Sequence, residues 1–284
     1  MINAKRVAIT GATGFLGYEL VKRITDLGIG ISAIARDEGK LVDLKEHFPN
    51  VEIFPCPIED AYLLKKALVG CDGIFHLASF KDVLLSGQHP TKTIQTNLIG
   101  TMNLLNGTID NTSIKFIIGT STDKVVKVSS VYGATKFILE ALFKEYQTLN
   151  GCHCKYRIVR YGNVLYSTGS VLPKWQMALK NNNEIVITDP ETTRFFWTKE
   201  DAVDFLFECL EKCDDCKPYI PKMKSIEIGK LLALMISKYG SKTDEPKIKY
   251  IGIQSSENMH EFLTKDISSY NATRWNSDDL MKLL

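Results

Sequence analysis

The first residues of the chain constrain its fold most, because a glycine-rich turn stands there between a buried strand and a helix. Arg6–Thr10 is an apolar run that predicts the strand, residues 18–27 have helical periodicity, and Gly11-Ala12-Thr13-Gly14-Phe15-Leu16-Gly17 lies between them. Small residues let a backbone approach an anion closely, and the N-terminus of a helix favours negative charge. The turn therefore predicts a phosphate-binding site. A tight turn that binds nothing is the alternative, since the spacing is not the usual G-x-G-x-x-G.

Strand and helix patterns continue to alternate through the first half of the chain, and this alternation defines the fold class. Further buried strands are predicted at residues 31–35, 51–56, 73–78, 116–121 and 156–159. Helices are predicted between them at residues 61–68, 90–106 and 132–150. The pattern predicts an α/β protein with a doubly wound parallel Rossmann sheet.

The alternation loosens after Gly169, where we expect a small mixed lid over the carboxyl edge of the sheet. Helical stretches are predicted at residues 171–181, 201–212, 226–239 and 257–263, strands at 184–188 and 248–253, and a polar loop at 189–197. We therefore assign residues 1–165, with part of 189–215, to a dinucleotide-binding domain. Residues 166–284 are assigned mainly to a substrate-binding domain.

The composition is ordinary for a soluble globular protein. The chain has 284 residues, a net charge of +2, 44% hydrophobic and 24% charged residues. This charge gives no reason to expect nucleic acid or a membrane surface as a partner. No apolar run approaches the roughly 18 residues that a spanning helix needs. We expect a cytoplasmic location, because the chain enters its first strand with no room for a signal peptide.

Seven cysteines raise the question of a metal site. Cys152 and Cys154 are close in sequence, as are Cys209, Cys213 and Cys216. The trio lacks a clear fourth ligand, and its first two members fall on or near a predicted amphipathic helix. Free thiols are therefore favoured over zinc, and no metal site is predicted.

The end of the second strand bears on which dinucleotide would bind. Arg36 and Asp37 follow that strand, where a Rossmann fold reads the adenosine ribose. A carboxylate there favours a free 2′-hydroxyl, whereas an arginine accepts a 2′-phosphate. Because Arg36 comes first, NADP is preferred to NAD, with a surface arginine at the strand end as the alternative.

The fourth predicted strand carries a histidine and leads to a lysine. His76 stands inside the apolar run and is interpreted as a hydrogen-bonded core residue rather than a catalyst. Ala78 and Lys81 follow at the carboxyl end of the strand, where such sheets bind ligands. Lys81 is therefore a candidate contact for a cofactor or a sugar, and a solvated lysine is the alternative.

The residues between Ser121 and Lys136 carry the strongest chemical signal. Tyr132 and Lys136 are four apart on a predicted helix, so they share one face, and a nearby cation makes a phenol easier to ionise. Asp123 and Lys124 add an acid and a possible base at the preceding strand end. Two acid/base pairs on either side of one turn predict a site that moves several protons. A salt bridge between Asp123 and Lys124 is the structural alternative.

These motifs together resemble a known family. Gly11-x-x-Gly14-x-x-Gly17 with Tyr132-x-x-x-Lys136 resembles the extended short-chain dehydrogenase/reductase superfamily. Five further segments make the chain similar to the short, soluble UDP-N-acetylglucosamine 4,6-dehydratases of the polysaccharide-biosynthesis group. These segments are residues 35–38, 121–124, 132–136, 160–164 and 193–195. The resemblance extends over most of the chain, from Val7 to about Glu261.

The resemblance implies a reaction in two halves. Tyr132 would take the proton of the sugar 4-hydroxyl while hydride passes from C4 to the nicotinamide, and Lys136 would hold the nicotinamide ribose and lower the Tyr132 pKa. Lys124 or Asp123 would then remove the C5 proton, and Asp123 would assist loss of the C6 hydroxyl before hydride returns to C6. Thr122 would hydrogen-bond the sugar near C4. An elimination needs an acid and a base of different pKa, which fits the added Asp-Lys pair.

The resemblance also implies two binding sets. The cofactor-binding set comprises Gly11, Thr13, Gly14, Phe15, Leu16, Gly17, Arg36, Ile58, Ala78, Lys81, Tyr132 and Lys136. The set that binds the UDP-sugar comprises Lys81, Thr122, Asn163, Val171, Arg194 and Glu257, with Arg194 suited to the pyrophosphate or, alternatively, to a structural ion pair.

The chain departs from the family pattern at two places. Pro57 stands where an Asp often contacts the adenine amine, so backbone groups or another side chain must hold adenine. Residues 256–261 replace a more usual Gly-Glu-Lys-Leu-His-Glu, which bears on the role of Glu257.

Two other functions compete with the dehydratase. A nucleotide-sugar 4-epimerase or reductase needs no acid or base for C5 and C6, so Asp123 and Lys124 speak against it. A dinucleotide-sensing regulator has no chemical need for Tyr132 and Lys136 at helical spacing. We also expect a homo-oligomer, a dimer or larger, that packs through the helices predicted at residues 90–106 and 132–150.

Overall fold

The computed structural model describes residues 3–149, 153–241, 243 and 245–284. Its strands are, in chain order, β1 (Arg6–Thr10), β2 (Gly30–Ala35), β3 (Glu52–Pro55), β4 (Gly73–His76), β5 (Phe116–Thr122), β6 (Lys155–Tyr161), β7 (Asn163–Val164), β8 (Ile185–Ile187), β9 (Thr193–Trp197), β10 (Pro218–Tyr219), β11 (Lys224–Glu227) and β12 (Ile248–Tyr250). Within the described residues, seven strands form one parallel sheet in the order β10-β6-β5-β4-β1-β2-β3. The predicted doubly wound Rossmann sheet is confirmed.

The helices that cover this sheet and build the lid are, in chain order, α1 (Phe15–Asp26), α2 (Glu38–His47), α3 (Ala61–Ala67), α4 (Val83–Gln88), α5 (Pro90–Ile94), α6 (Gly100–Asp110), α7 (Val131–Leu149), α8 (Val171–Lys180), α9 (Lys199–Lys212), α10 (Ile228–Tyr239) and α11 (Ser277–Leu283). Strand order reverses around β1, which lies between β2 and β4. Ligands of open parallel sheets bind at such a reversal, outside the carboxyl ends of the strands.

The turn after β1 requires glycine at two positions for different reasons. Gly11 has φ +72°, a conformation that side chains other than glycine rarely adopt. A Cβ on Gly17 would lie 2.1 Å from the carbonyl oxygen of Gly11, so α1 can approach the turn this closely only without one. Gly14 caps α1 without a side-chain hydrogen bond. The helix therefore begins with its N-terminus open.

The helix predicted at residues 90–106 is interrupted and extends further than expected. It begins as α5, passes through one π-helical turn at Gln95–Ile99 and continues as α6 to Asp110. Asn97 lies in the π turn, and its side-chain oxygen accepts from the Phe80 N–H at 2.7 Å. Its amide group donates to Thr135 Oγ1 at 3.0 Å. Hydrophobic periodicity carries no information on such a turn. The predicted end of α7 at residue 150 lies outside the described residues.

Two expectations for the lid are wrong. Residues 193–197, predicted as part of a polar loop, form β9, whose backbone pairs with β11 and β7. The apolar Phe195 and Phe196 are buried there and outweigh the polar residues that precede them. Residues 257–263, predicted as helical, form no helix; they are irregular, with isolated bridges from His260 to Thr193 and from Phe262 to Ser268. In both cases, pairing with distant backbone overrides the local pattern.

The lid and the main sheet share elements. Strand β10 pairs with β6 at the edge of the main sheet. Helix α9 packs on α1, with ion pairs from Lys199 to Glu19 at 3.0 Å and from Arg23 to Asp204 at 2.5 Å. These contacts suit the assignment of part of residues 189–215 to the nucleotide-binding domain. The domain boundaries themselves stay a prediction.

His76 is a buried, hydrogen-bonded residue of the core, as interpreted from the sequence. Its Nδ1 lies 2.8 Å from Thr10 Oγ1 and its Nε2 lies 3.0 Å from Thr101 Oγ1. Burial, followed by the charge of Lys136, lowers the pKa of His76 to about 3. The folded protein therefore holds this imidazole neutral through the pH range in which an unfolded chain takes up a proton, near pH 6.5.

This difference predicts an acid-dependent loss of stability. Below about pH 6.5 the unfolded state binds a proton that the folded state does not. The free energy of unfolding is therefore unaffected by His76 above that pH and declines below it, until the pH reaches the folded-state pKa of about 3. Between pH 7.5 and 5.5, we expect His76 to remove about 1.4 kcal/mol from the free energy of unfolding. Urea unfolding at both pH values measures this loss, and His76→Gln should reduce the pH difference by that amount. The exposed His89→Gln is the control; an equal reduction there would contradict the prediction.

Candidate active site

A cleft of about 600 Å³ opens at the carboxyl ends of β1, β4 and β5. It is lined along one side by the glycine turn and by residues after β2, and along the other by the end of β5 and the start of α7. The predicted site residues that line it are Gly11, Thr13, Gly14, Phe15, Leu16, Gly17, Arg36, Ile58, Ala78, Lys81, Thr122, Lys124, Tyr132, Lys136 and Asn163. One cavity thus brings together the whole candidate cofactor set, the Tyr132-Lys136 pair and Lys124, while Asp123 is not part of its lining.

The glycine turn fits the diphosphate of a dinucleotide. Gly17 leaves no room for a Cβ, and Gly14 leaves the N-terminus of α1 without a side-chain cap. Unpaired backbone N–H groups at a helix start, together with the helix dipole, favour an anion there. The backbone itself therefore supplies a phosphate cradle at this end of the cleft.

Two cations and one carboxylate lie where the adenosine ribose is expected. Arg36, Asp37 and Lys40 all line the cleft. Asp37 caps α2 by accepting from the Lys40 N–H at 3.1 Å, and its carboxylate lies 3.5 Å from Lys40 Nζ. The first of these contacts holds the pKa of Asp37 below its ordinary value. Asp37 is thus engaged by its own helix, while the Arg36 guanidinium remains at the cleft.

The end of the cleft where adenine is expected is lined by Cys56, Ile58 and Glu59, next to Pro57. Glu59 Oε1 accepts from Lys92 at 2.7 Å and from Thr96 at 2.8 Å. Sequence reasoning did not single out Glu59, because its neighbours Lys92 and Thr96 come from α5 and the π turn.

Tyr132 and Lys136 share one face of α7 and both line the cleft. Lys136 is 2% exposed, and its ammonium donates to the Thr120 carbonyl at 2.8 Å. Burial raises the pKa of Tyr132 to about 12, and the opposing cation is Lys124. Burial also lowers the pKa of Lys136 to about 8. In the protein alone, the expected lowering of the Tyr132 pKa by Lys136 is therefore not seen, because the Lys136 ammonium is directed at Thr120.

Asp123 and Lys124 belong to a buried cluster with a third charged residue. Lys124 Nζ lies 2.9 Å from Asp123 Oδ1 and 3.3 Å from Glu261 Oε1. Asp123 is 1% exposed and its Oδ2 has no hydrogen-bond partner among the described residues, while Thr122 Oγ1 donates to its Oδ1 at 3.0 Å. Burial, partly opposed by Lys124 and reinforced by the charge of Glu261, raises the pKa of Asp123. Asp123 and Glu261 together raise the pKa of Lys124 against the effect of burial.

Gly162 makes room for the Asp123 carboxylate. A Cβ on Gly162 would lie 2.9 Å from Asp123 Oδ2 and 2.6 Å from the Phe195 Cβ. A larger residue would therefore displace the carboxylate or β9.

A buried ion pair fixes the end of β5 against α7. Arg160 donates to both carboxylate oxygens of Glu140, at 2.9 and 2.6 Å, and Ser121 Oγ donates to the first of these oxygens at 2.6 Å. A bidentate pair of this kind adds geometric precision as well as energy. It holds Ser121, and with it Thr122, at a fixed position relative to the helix that carries Tyr132.

Three predicted substrate-binding residues lie outside the cleft lining. The Arg194 guanidinium donates to the carbonyls of Thr193 at 2.8 Å and Met259 at 3.1 Å. Glu257 Oε2 is buried and accepts no hydrogen bond from the part of the chain that the structure describes. Val171 begins α8, directly after the cleft residue Ser170. Their roles in binding stay predictions.

Sequence reasoning missed Glu261 as a member of the acid/base cluster. Glu261 closes the motif at residues 256–261, but that motif drew attention to Glu257. The sequence does contain a signal for it: Glu261 is an acidic residue of that motif, and no role had been assigned to it.

The described cysteines are free. Cys152, which the zinc hypothesis included, lies outside the described residues. Burial raises the pKa of the Cys154 and Cys216 thiols to about 12. Over the described ranges, no group of three or more histidine, cysteine or acidic side chains is arranged to hold a metal ion. In that same part of the chain, no helix is both long and apolar enough to span a membrane.

The cleft, the open turn and the Tyr-Lys pair define a protein of the extended short-chain dehydrogenase/reductase class, and comparison with known proteins identifies its family. Residues 7–282 match the family described as polysaccharide biosynthesis protein. The chain belongs to this family.

Individual relatives are similar over nearly the whole chain. An uncharacterized membrane protein of Methanocaldococcus jannaschii is 34% identical, over 94% of this chain and 82% of the relative. A UDP-N-acetylglucosamine 4,6-dehydratase (inverting) of Campylobacter jejuni is 30% identical, over 95% of this chain and 80% of the relative. A UDP-glucose 4-epimerase of Rickettsia rickettsii is also 30% identical, over 91% of this chain and 77% of the relative.

A solved structure has nearly the same fold. Pen from Bacillus thuringiensis is 25% identical and superposes with a TM-score of 0.92, over 98% of this chain and 96% of that one. The arrangement of sheet and lid is therefore shared along the full length.

Proposed function

We propose that this protein is a nucleotide-sugar 4,6-dehydratase that acts on UDP-N-acetylglucosamine and uses NADP. The observation that carries the proposal is the placement of a second acid/base pair, Asp123 and Lys124, beside the Tyr132-Lys136 pair of one cleft. The similar dehydratase of Campylobacter jejuni supports the same substrate class. The Lys124 side chain faces the cleft and Asp123 lies behind it, so a sugar placed against Tyr132 also meets Lys124.

The residues perform distinct tasks in this proposal. Tyr132 accepts the proton of the 4-hydroxyl as C4 is oxidised, and Thr122 holds that oxygen. The resulting 4-keto group acidifies C5. The C5–H bond then breaks, its electron pair forms the C5–C6 double bond, and the C6 oxygen leaves as water with a proton from the Asp123-Lys124 pair. C6 then receives the hydride that left C4, and C5 takes up a proton, which completes the 4-keto-6-deoxy sugar. Removing a proton at C5 and supplying one at C6 needs both members of that pair or a transfer between them.

The residues of the cleft fit a nicotinamide dinucleotide, which when bound supplies the hydride acceptor and donor. The turn at Gly11, Gly14 and Gly17 would cradle its diphosphate through backbone N–H groups. Lys136 would hold the nicotinamide ribose, and Ile58, Ala78 and Lys81 would line its path. Arg36 and Lys40 favour a 2′-phosphate, because Asp37 already accepts from its own helix.

Replacing Arg36 should separate the two dinucleotides. For Arg36→Ala, we expect NADP binding to weaken by roughly tenfold to a hundredfold, since a hydrogen bond to a charged group is worth about 1.5–3 kcal/mol. NAD binding should change by less than about threefold. Isothermal titration of the protein with each dinucleotide measures both, with the exposed Lys22→Ala on α1 as control. Equal weakening for both dinucleotides, or tighter binding of NAD by the unaltered protein, would contradict the NADP assignment.

Mass spectrometry tests the proposed reaction directly. Incubation with UDP-N-acetylglucosamine and NADP should give a product lighter by one water, with no net consumption of NADP. Substrate that keeps its mass would refute the dehydratase. Parallel incubation with UDP-glucose tests the dependence on the N-acetyl group.

A nucleotide-sugar 4-epimerase is the second candidate, favoured by the similar UDP-glucose 4-epimerase of Rickettsia rickettsii. An epimerase uses the same Tyr-Lys pair but removes no water. Conversion to the C4 epimer without mass change would favour it over the dehydratase.

A further inference from the structure

Glu261 is a buried carboxylate that shares the Lys124 ammonium with Asp123. Its Oε1 lies 3.3 Å from Lys124 Nζ and its side chain is 3% exposed, while Asp123 lies 2.9 Å from the same nitrogen. The second oxygen of Glu261 accepts from the Asn258 amide at 3.4 Å. One cation is thus held by two desolvated anions, at the edge of the cleft that Lys124 lines.

The backbone places Glu261 rigidly at this position. Its N–H donates to Ser269 Oγ at 2.9 Å, and its carbonyl accepts from the Ser269 N–H at 2.7 Å. Ser269 Oγ in turn donates to the Thr193 carbonyl of β9 at 2.9 Å. The carboxylate is therefore tied to the lid sheet, whereas Asp123 and Lys124 are tied to the end of β5.

Three charged side chains and Arg194 influence one another's proton affinity in this cluster. Asp123 and Glu261 favour the ammonium form of Lys124, and Arg194 opposes it. For Asp123, Lys124 favours ionisation and Glu261 disfavours it, since like charges repel. Lys124 and Arg194 hold the pKa of Glu261 below its ordinary value. Glu261 thus raises the proton affinity of both Asp123 and Lys124, while it stays ionised itself.

We propose that Glu261 is a positioning residue for the elimination half of the reaction, where it holds the Lys124 amine against the substrate and sets the distribution of protons between Lys124 and Asp123. This inference rests on the proposed dehydratase function. Glu261 touches neither the reacting carbons nor the cofactor cradle in this assignment. Its effect passes through Lys124, and it couples the lid to the acid/base chemistry.

The substitution Glu261→Gln tests this role. The amide keeps the shape but removes the charge, so the pKa values of Lys124 and Asp123 should both fall. We therefore expect the pH profile of water loss to move to lower pH by about one unit, whichever of the two takes the C5 proton. At the optimal pH of each protein, water loss should be slower in the variant by at least about tenfold, because the Lys124 amine is no longer held against the substrate, whereas oxidation at C4 should stay within about threefold. Glu261→Asp restores the charge and should return the profile toward that of the unaltered protein.

A second readout needs no turnover. Acetic anhydride modifies only neutral amines, so Lys124 should be acetylated faster in Glu261→Gln at pH 8, as followed by peptide mass spectrometry. The matched control is Glu19→Gln, which removes the buried partner of Lys199 at a distance from the cluster. It should leave both the pH profile and Lys124 acetylation unchanged.

The outcomes separate the two proposals. Absence of water loss from the unaltered protein refutes the dehydratase, and Lys124 acetylation still decides the role of Glu261. Slower water loss in Glu261→Gln with an unmoved pH profile and unchanged acetylation would overturn the inference, because it would indicate only a structural role.

Discussion

Asp123→Asn should abolish water loss while oxidation at C4 continues. The substitution keeps the size of the side chain but removes its ability to take up and release a proton, and loss of such a group costs about 10²–10⁴-fold in rate. Tyr132 remains in place, so the sugar is still oxidised. We expect no product that is lighter by one water. Transient absorbance of reduced nicotinamide should accompany a 4-keto sugar that is lighter by two hydrogens, and return of the hydride to C4 then gives the substrate or its C4 epimer with the original mass.

The fold should tolerate this change. Lys124 keeps Glu261 as an anionic partner at 3.3 Å, so no buried ammonium is left unpaired. Asp266→Asn, in an exposed turn of the lid, is the matched control for a carboxylate outside the site. Single-turnover mass spectrometry measures water loss, absorbance of reduced nicotinamide measures oxidation at C4, and thermal unfolding of each variant measures the stability of the fold. Water loss at the unaltered rate would remove Asp123 from the elimination.

Tyr132→Phe should abolish both halves of the reaction. The ring remains on α7 while the hydroxyl that accepts the C4 proton is lost, so oxidation should fall by about 10²–10⁴-fold, and elimination cannot follow without the 4-keto group. Burial raises the pKa of Tyr132 to about 12 in the protein alone. The phenolate fraction therefore increases with pH, and the rate of oxidation should rise by up to roughly tenfold per unit between pH 6 and 8.

Another tyrosine of α7 provides the control. Tyr146→Phe alters the same helix and removes a hydroxyl that donates to Asn106 at 2.6 Å, away from the cleft. Its oxidation rate should match that of the unaltered protein at each pH. Stopped-flow absorbance of reduced nicotinamide gives the rates. Oxidation by Tyr132→Phe within tenfold of the unaltered protein would require another base.

The local arrangement of the candidate site could be predicted from sequence, because its members are neighbours in the chain. Tyr132 and Lys136 are related by helical spacing, Asp123 and Lys124 are adjacent, and the glycine turn connects a strand directly to its helix. In each case a short segment with one secondary structure determines the geometry. The structure confirms the sheet that carries them, and their catalytic roles await the variants above.

The lid could not be predicted as well, since its strands are defined by distant pairing. Thr193 and Arg194 look polar in sequence, but β9 is held by β11 and by the segment that contains His260. The same pairing brings Glu261 to Lys124. A pattern of adjacent residues contains no information on a contact between residues so far apart in the chain, so Glu261 can be recognised as the third member of the charged cluster only from the structure.

The amide of Asn97 has a consequence for how the two ends of the cleft stay aligned. It accepts from Phe80 N–H after β4 and donates to Thr135 on α7, next to Lys136. The segment after β4 and the helix α7 are thus both hydrogen-bonded to the Asn97 side chain, which the π turn places between them. A displacement of the segment after β4 would therefore move Thr135, and with it the part of α7 that carries Tyr132, in the same direction. In the proposed reaction, the distance over which hydride passes would therefore be set within the sheet domain, by the hydrogen bonds of Asn97.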